Sequence, residues 1–82
     1  MSFSVYILYS KTTDSYYVGY TSMNVEERLR RHLSTHAGFT GRAKDWQVVY
    51  CEDYQEKTKA ILREQEIKHW KSRTKIIELI SS

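Results

Sequence analysis

Arg28 and His32 are two residues whose types and spacing could do chemistry. Four residues apart, they lie one above the other on a helix. A guanidinium neutralises anionic oxygens, and an imidazole exchanges protons near neutral pH. Hydrolysis of a phosphodiester needs such groups, together with a base for water and usually a carboxylate for a divalent metal. The alternative is a solvated face of mixed charge with no chemistry at His32, formed by Glu26, Glu27, Arg28, Arg30 and Arg31.

Glu64 is the candidate carboxylate, because it lies four residues after Ala60 and three before Ile67 on an apolar helical stripe. A buried carboxylate needs a metal, an arginine or a position at the rim, since burial without a partner is costly. Glu66 fits the periodicity equally well, and a surface salt bridge to Lys68 is the ordinary alternative for such a glutamate. Periodicity alone leaves the choice open.

Tyr6 and Tyr17 are the candidate bases, and each stands in a run rich in β-branched and aromatic residues, 3–9 and 16–20. Both runs predict strands, joined as an antiparallel hairpin by the polar turn 10–15. A tyrosine with a pKa near 10 needs a nearby cation to act as a base at neutral pH. The alternative is that each is a packing residue whose hydroxyl reaches the surface.

Pairing Tyr9 with Tyr16 sets which face of this hairpin each side chain occupies, because side chains alternate along a strand. One face, predicted to be core, then carries Val5, Ile7, Tyr9, Tyr16, Val18 and Tyr20. The other is predicted to be the more polar surface, with the two candidate hydroxyls together, and it carries Ser4, Tyr6, Leu8, Tyr17 and Gly19.

The remaining elements follow from caps and periodicity. Asn24, followed three residues later by Glu27, predicts a capped first helix over about 25–35. A loop containing Gly38, Phe39, Thr40 and Gly41 comes next and is long enough to carry function. A third strand over 46–51, a helix over about 57–71 and a last helix capped by Ser72 complete the chain. We therefore expect one α+β domain over 1–82, in the order β-β-α-β-α-α, with no internal repeat.

Composition narrows the function classes further. An 82-residue chain with 40% hydrophobic residues suits one globular domain with a thin core. Cys51, the single cysteine, excludes an intramolecular disulfide, and no stretch is long and apolar enough for a membrane span. These features predict a cytoplasmic protein with no membrane partner. The net charge of +3 favours polyanionic partners modestly.

Taken in order, the candidate residues resemble the motifs of the GIY-YIG nuclease family, over almost the whole chain from Phe3 to Ile80. That family includes homing endonucleases, some restriction enzymes, the N-terminal nuclease of bacterial nucleotide-excision repair and small standalone proteins. The matching segments are 4–6 (Ser-Val-Tyr), 17–19 (Tyr-Val-Gly), 27–32 and 63–68. Two departures stand out: Ser4 replaces a glycine, and Tyr20 stands where several relatives carry lysine.

The resemblance implies a three-stranded antiparallel sheet flanked by helices, with one shallow site formed by Tyr6, Tyr17, Arg28, His32 and Glu64. It selects Glu64 over Glu66 as the ligand of a single divalent cation, Mg²⁺ or Mn²⁺. It implies that a tyrosine activates water and Arg28 stabilises phosphoryl charge. His32 is expected to orient a tyrosine or water, or to exchange protons with it.

The function expected from this resemblance is that of a metal-dependent DNA endonuclease, targeted by DNA structure or by a partner protein in repair or recombination. Six basic residues could contact phosphates: Lys11, Arg30, Arg31, Arg42, Lys44 and Lys68. The alternative keeps the fold without catalysis, as a nucleic-acid-binding or protein-interaction module. An unrelated basic adaptor is a third hypothesis. The sequence leaves open whether the chain is a monomer or a homodimer.

Overall fold

The computed structural model describes residues 2–22, 24–34 and 45–82, without the side chains of residues 32–34. Six elements lie in these ranges: β1 (Phe3–Ser10), β2 (Ser15–Thr21), α1 (Val25–Ser34), β3 (Gln47–Tyr54), α2 (Lys57–Trp70) and α3 (Arg73–Ser81). The predicted α+β class and the order β-β-α-β-α-α are confirmed. The predicted glycine-containing loop, with Arg42 and Lys44, lies outside the described residues.

The three strands form one antiparallel sheet in the order β2-β1-β3, so β2 is an edge strand. The hairpin has the predicted register, with Tyr9 opposite Tyr16 and Tyr6 opposite Gly19. Asp14 adopts a positive φ of 50° in the turn, a conformation that aspartate tolerates better than most residues.

Both faces of the sheet are buried, and the prediction of a polar second face is wrong. The first face packs against α2 and α3 through a cluster that includes Val5, Ile7, Val18, Ala60 and Ile67. On the second face, Tyr6 is 1% exposed, Leu8 is fully buried and Trp46 is 2% exposed. Val25 and Leu29 of α1 pack against these three residues. Alternation along a strand assigns side chains to faces, but it does not reveal that a helix and a tryptophan cover the second one.

The helix ends follow their predicted caps. The Asn24 side-chain oxygen accepts hydrogen bonds from the backbone N–H of Glu26 at 2.8 Å and of Glu27 at 3.4 Å. The Ser72 hydroxyl accepts from the N–H of Lys75 at 3.3 Å. Lys71 ends α2 in the left-handed region, with a φ of 48°. None of the helices in the described ranges is long and apolar enough to cross a membrane.

Strand β3 continues to Tyr54, three residues beyond its predicted end, because the acidic residues in its second half have partners. The Glu52 carboxylate accepts hydrogen bonds from Arg63 of α2 at 3.0 and 3.1 Å and from the Tyr54 hydroxyl at 2.6 Å. The Tyr50 hydroxyl also donates to it. Burial disfavours the Glu52 carboxylate, but these hydrogen bonds outweigh it and hold the pKa of Glu52 below its usual value. The hydrogen bond that Tyr54 donates to Glu52 raises the pKa of Tyr54 to about 12. This cluster ties α2 to the sheet.

We expect Glu52→Gln to lower the free energy of unfolding by about 1–3 kcal/mol, because it leaves a partly buried guanidinium without its carboxylate. Urea denaturation at neutral pH measures this loss. The pKa of Glu52 in the folded protein lies below its ordinary value of 4.5. The stabilisation by its carboxylate is therefore fully present above pH 4.5, and it is lost as the pH falls through the folded pKa. The matched control is Glu56→Gln, whose partner Lys59 is 68% exposed, and it should change stability by less than about 1 kcal/mol. Equal losses in the two variants would contradict the proposed role of the cluster.

Candidate active site

A cavity of about 410 Å³ lies along the edge strand β2, and we call it the edge cavity. Four of the five predicted site residues line it: Tyr6, Tyr17, Arg28 and Glu64. They come from β1, β2, α1 and α2 respectively, so the edge cavity forms only when all four elements are packed. The fifth, His32, belongs to α1, but its side chain lies outside the described residues. The remaining lining residues are Phe3, Gly19, Tyr20, Thr21, Ser22 and Lys57.

Gly19 lets Tyr6 reach the edge cavity from the central strand. The two residues are opposite each other in the sheet. A Cβ atom at position 19 would lie 2.7 Å from the Tyr6 hydroxyl oxygen and 2.9 Å from Cζ, closer than real Cβ contacts come. The phenol therefore occupies the space that any larger residue would need.

The Tyr6 hydroxyl is in an environment that favours its neutral form. Burial raises the pKa of Tyr6 above 10, and the hydrogen bond and charge of Arg28 oppose this shift without cancelling it. The nearby Tyr17 and Glu64 raise the pKa of Tyr6 further. Arg28 is thus a nearby cation that lowers the pKa of Tyr6, but burial outweighs its effect. At neutral pH, Tyr6 is a hydrogen-bond donor in this environment.

Arg28 is partly buried on the side of α1 that faces the sheet, next to Val25 and Leu29 of the same helix. Its Nε–H is buried and has no hydrogen-bond partner among the described residues. A buried donor without a partner costs free energy, so native structures usually satisfy it with water or a ligand. An anionic oxygen in the edge cavity would satisfy it.

Glu64 and Glu66, which periodicity could not separate, have different surroundings. The Glu64 side chain is 13% exposed and pairs with Lys68 at 3.6 Å. The Glu66 side chain is 56% exposed and pairs with Arg63 at 2.9 Å. Only Glu64 of the two lines the edge cavity.

The donor set fits a lightly held Mg²⁺ ion and does not fit a site built entirely from protein ligands. Within the described ranges there is no group of three or more His, Cys, Asp or Glu side chains able to hold a metal. Mg²⁺ commonly binds through one or two carboxylates and completes its coordination with waters and substrate phosphates. Glu64 could supply the carboxylate, so the edge cavity suits an ion that arrives with its phosphate.

Comparison with known sequences gives a match to the GIY-YIG catalytic domain over residues 2–76. The chain belongs to the GIY-YIG family. It is also similar to the UPF0213 protein from Bacillus halodurans, known from a solution NMR structure. The two sequences are 34% identical, and the two structures superpose with a TM-score of 0.61. That match covers 99% of this chain and 84% of the other. No curated protein matched the chain. The family resemblance drawn from the motifs is confirmed, and with it the nuclease fold.

The two GIY-YIG motifs meet on adjacent strands. Tyr6 of the first lies directly across from Gly19 of the second. Ser4, which replaces the first glycine, donates a hydrogen bond to Asp53 of β3 at 2.8 Å, so the substitution has a structural partner. Tyr20, which replaces a lysine of several GIY-YIG relatives, lines the edge cavity and packs against the first core cluster.

Lys57 lines the edge cavity and was not among the predicted site residues. It precedes Glu64 by seven residues, or about two helical turns, which places both on one face of α2. That spacing was the available signal, but it does not distinguish Lys57 from the other exposed lysines. Lys57 adds a positive charge at the first turn of α2 to the charge that Arg28 brings from α1.

Proposed function

We propose that this chain is a divalent-metal-dependent endonuclease that hydrolyses phosphodiester bonds in DNA. The observation that carries the proposal is the convergence of two phenols, one guanidinium and one carboxylate, from four separate elements, on the edge cavity. These groups can supply the base, the cation and the metal-binding carboxylate that phosphodiester hydrolysis uses, and the family match over residues 2–76 supports this use.

In this proposal the scissile phosphate binds against Arg28, whose unpartnered Nε–H is available to a phosphoryl oxygen. The preformed guanidinium stabilises negative charge that develops on the phosphoryl group. Lys57 contacts a neighbouring phosphate oxygen. Glu64 would hold the divalent cation, which would neutralise negative charge on the phosphoryl group.

We assign the two tyrosines different roles. Tyr6 is buried and its pKa is raised, so it serves as a neutral donor that orients water or phosphate. Tyr17 is more exposed, lines the edge cavity and is the proposed general base. His32, assigned by the family resemblance, assists by orienting a tyrosine or water or by exchanging protons with it. We further propose that the protein acts in the cytoplasm, in repair or recombination, and is targeted by DNA structure or by a partner protein.

Nicking of supercoiled plasmid and of branched DNA tests this function. Purified protein should nick with Mg²⁺ or Mn²⁺ and not with EDTA. Arg28→Gln should slow nicking about 100-fold or more, because it removes a preorganised charge at the developing oxyanion. The control, Lys59→Gln, removes an exposed positive charge at a residue that neither lines the edge cavity nor is among the expected phosphate contacts, and it should retain most of the activity. Metal-dependent binding without nicking would instead support a binding module that has the fold but no activity.

A further inference from the structure

A second concave surface, the basic groove, adjoins the edge cavity on β2 and has a volume of about 540 Å³. Its floor is apolar, with Val18 7% exposed and Ile67 fully buried, and Ile76 lies beside them. Its volume is within the range of roughly 300–1,000 Å³ found for sites that bind small organic groups. The remaining lining residues are Asp14, Ser15, Tyr16, Tyr17, Lys68, Lys71, Ser72 and Arg73.

The basic groove is continuous with the edge cavity through two residues. Tyr17 lines both. Lys68 lines the groove, pairs with Glu64 of the edge cavity at 3.6 Å, and has its ammonium 5.9 Å from the centre of the Tyr17 ring. A polymer with one unit in the edge cavity would therefore meet the groove if it ran along β2.

The charge of the groove suits a polyanion. It has three cations, Lys68, Lys71 and Arg73, against one acid, Asp14. The carboxylate of Asp14 is already engaged, since it accepts hydrogen bonds from Arg73 at 2.5 Å and from the Tyr9 hydroxyl at 2.7 Å. Among the described residues no ion pair involves Lys71, so its ammonium is available to a phosphate.

Aromatic rings beside these cations give the groove the composition of a site for unpaired bases. Tyr16 and Tyr17 line it, and the Arg73 guanidinium lies 5.3 Å from the centre of the Tyr16 ring. Bases stack on aromatic side chains and on arginine planes, while phosphates bind the flanking cations. Bases within a duplex are not accessible to such a groove.

We propose that the basic groove binds an unpaired nucleotide of the strand that is cut, next to the scissile phosphate in the edge cavity. This inference rests on the proposed nuclease function, because it concerns the strand that enters that cavity. It defines the substrate class as DNA with single-stranded character at the cleavage site: a single strand, a flap or a branch.

Binding of a fluorescent single-stranded oligonucleotide, measured by anisotropy in EDTA, tests the groove without any cleavage. Wild-type protein should bind the single strand more tightly than the matching duplex. Lys71→Gln should reduce the slope of log affinity against log salt by about 0.7, the value for one phosphate contact on a single strand. The matched control is Lys59→Gln, an exposed lysine of α2 outside both concave surfaces, which should leave the slope unchanged.

Tyr16→Leu tests the stacking contact while keeping an apolar side chain for the core. We expect it to weaken single-strand binding by roughly 5- to 150-fold, the effect of losing one stacked base, and to leave duplex binding nearly constant. If this variant does not fold, as judged by circular dichroism, the slope measured for Lys71→Gln decides the question alone.

The results separate this inference from the nuclease function. Suppose that the protein nicks plasmid, and that neither Lys71→Gln nor Tyr16→Leu alters single-strand binding. This result would overturn the proposed role of the groove and leave the proposed nuclease function intact. If single-strand binding depends on both residues but no metal-dependent cleavage occurs, the proposed role of the groove is supported and the proposed nuclease function is contradicted. Equal affinity for single strand and duplex would also overturn the proposed role of the groove. The apolar floor would then favour another polymer, such as a peptide, as its ligand.

Discussion

Glu64→Gln is expected to reduce metal-dependent nicking by at least about 1,000-fold, since it removes the one carboxylate that the described residues bring to the edge cavity to hold the cation. The substitution keeps the shape of the side chain and removes its charge. Its partner Lys68 is 49% exposed and can be solvated once the ion pair is lost, so the helix should tolerate the neutral amide. The initial rate of nicking, with Mg²⁺ varied, measures the effect.

The chain supplies a matched control two residues away. Glu66→Gln makes the same chemical change on the same helix, at a side chain that is 56% exposed and outside the edge cavity. We expect its nicking rate to stay within about two-fold of wild type, as for surface changes that cost less than roughly 0.5 kcal/mol. Electron paramagnetic resonance of Mn²⁺ should show weaker binding for Glu64→Gln alone. Cleavage that persists in Glu64→Gln, or equal losses in both variants, would show that the metal ligand is elsewhere.

Local rules predicted the hairpin and the helix ends because each depends on residues close together in the chain. The polar turn between two strands predicted the hairpin, and the pairing of Tyr9 with Tyr16 that was assumed for it is the one the structure has. Asn24 and Ser72 cap helices that begin at the next residue. Turn chemistry and capping are contacts within a few residues, so a sequence contains all the information that they need.

Non-local packing explains what local rules missed. Tyr6 was placed on a polar face because its neighbours on that face include Ser4 and Gly19, yet α1 and Trp46 bury it. The third strand was predicted to end at position 51, before Glu52, whose partner Arg63 is eleven residues away on the next helix. In both cases the deciding contact joins separate elements, and no periodicity within one element specifies it.

The candidate site also depends on contacts between separate elements, which spacing within one element does not specify. Spacing left Arg28 open between a site residue and part of a solvated face, and the structure puts it in the edge cavity. Spacing could not choose between Glu64 and Glu66, because the choice depends on how α2 is rotated against the sheet. That rotation follows from the burial of Ala60 and Ile67 and from the ion pair between Arg63 and Glu52. The site is therefore a product of the packing of α2, and its roles are open to the variants proposed above.

Gly19→Ala is expected to be the most damaging change for its size, because the added methyl group would enter space that the Tyr6 ring fills. Its Cβ would lie 2.7 Å from the Tyr6 hydroxyl, 2.9 Å from Cζ and 3.1 Å from Cε1 of Tyr17. Tyr6 is 1% exposed in a cluster with Leu8 and Trp46, so its ring has little room to move. We expect a loss of about 1–3 kcal/mol in the free energy of unfolding, as for other overpacked cores. Nicking should fall about 100-fold or more, because both phenols of the proposed site are displaced.

Thermal denaturation and plasmid nicking of four proteins test whether Tyr6 is the cause: wild type, Gly19→Ala, Tyr6→Phe and the double variant. Phenylalanine removes the oxygen that makes the 2.7 Å contact but keeps the ring carbon at 2.9 Å. The alanine should therefore destabilise the Tyr6→Phe protein less than the wild type, and a double-mutant cycle gives the difference as a coupling energy. Ser22→Ala, at an exposed residue that also lines the edge cavity, controls for a small change at its rim. Full nicking and unchanged stability in Gly19→Ala would show that Tyr6 does not need this glycine, and additive losses in the cycle would place the damage elsewhere.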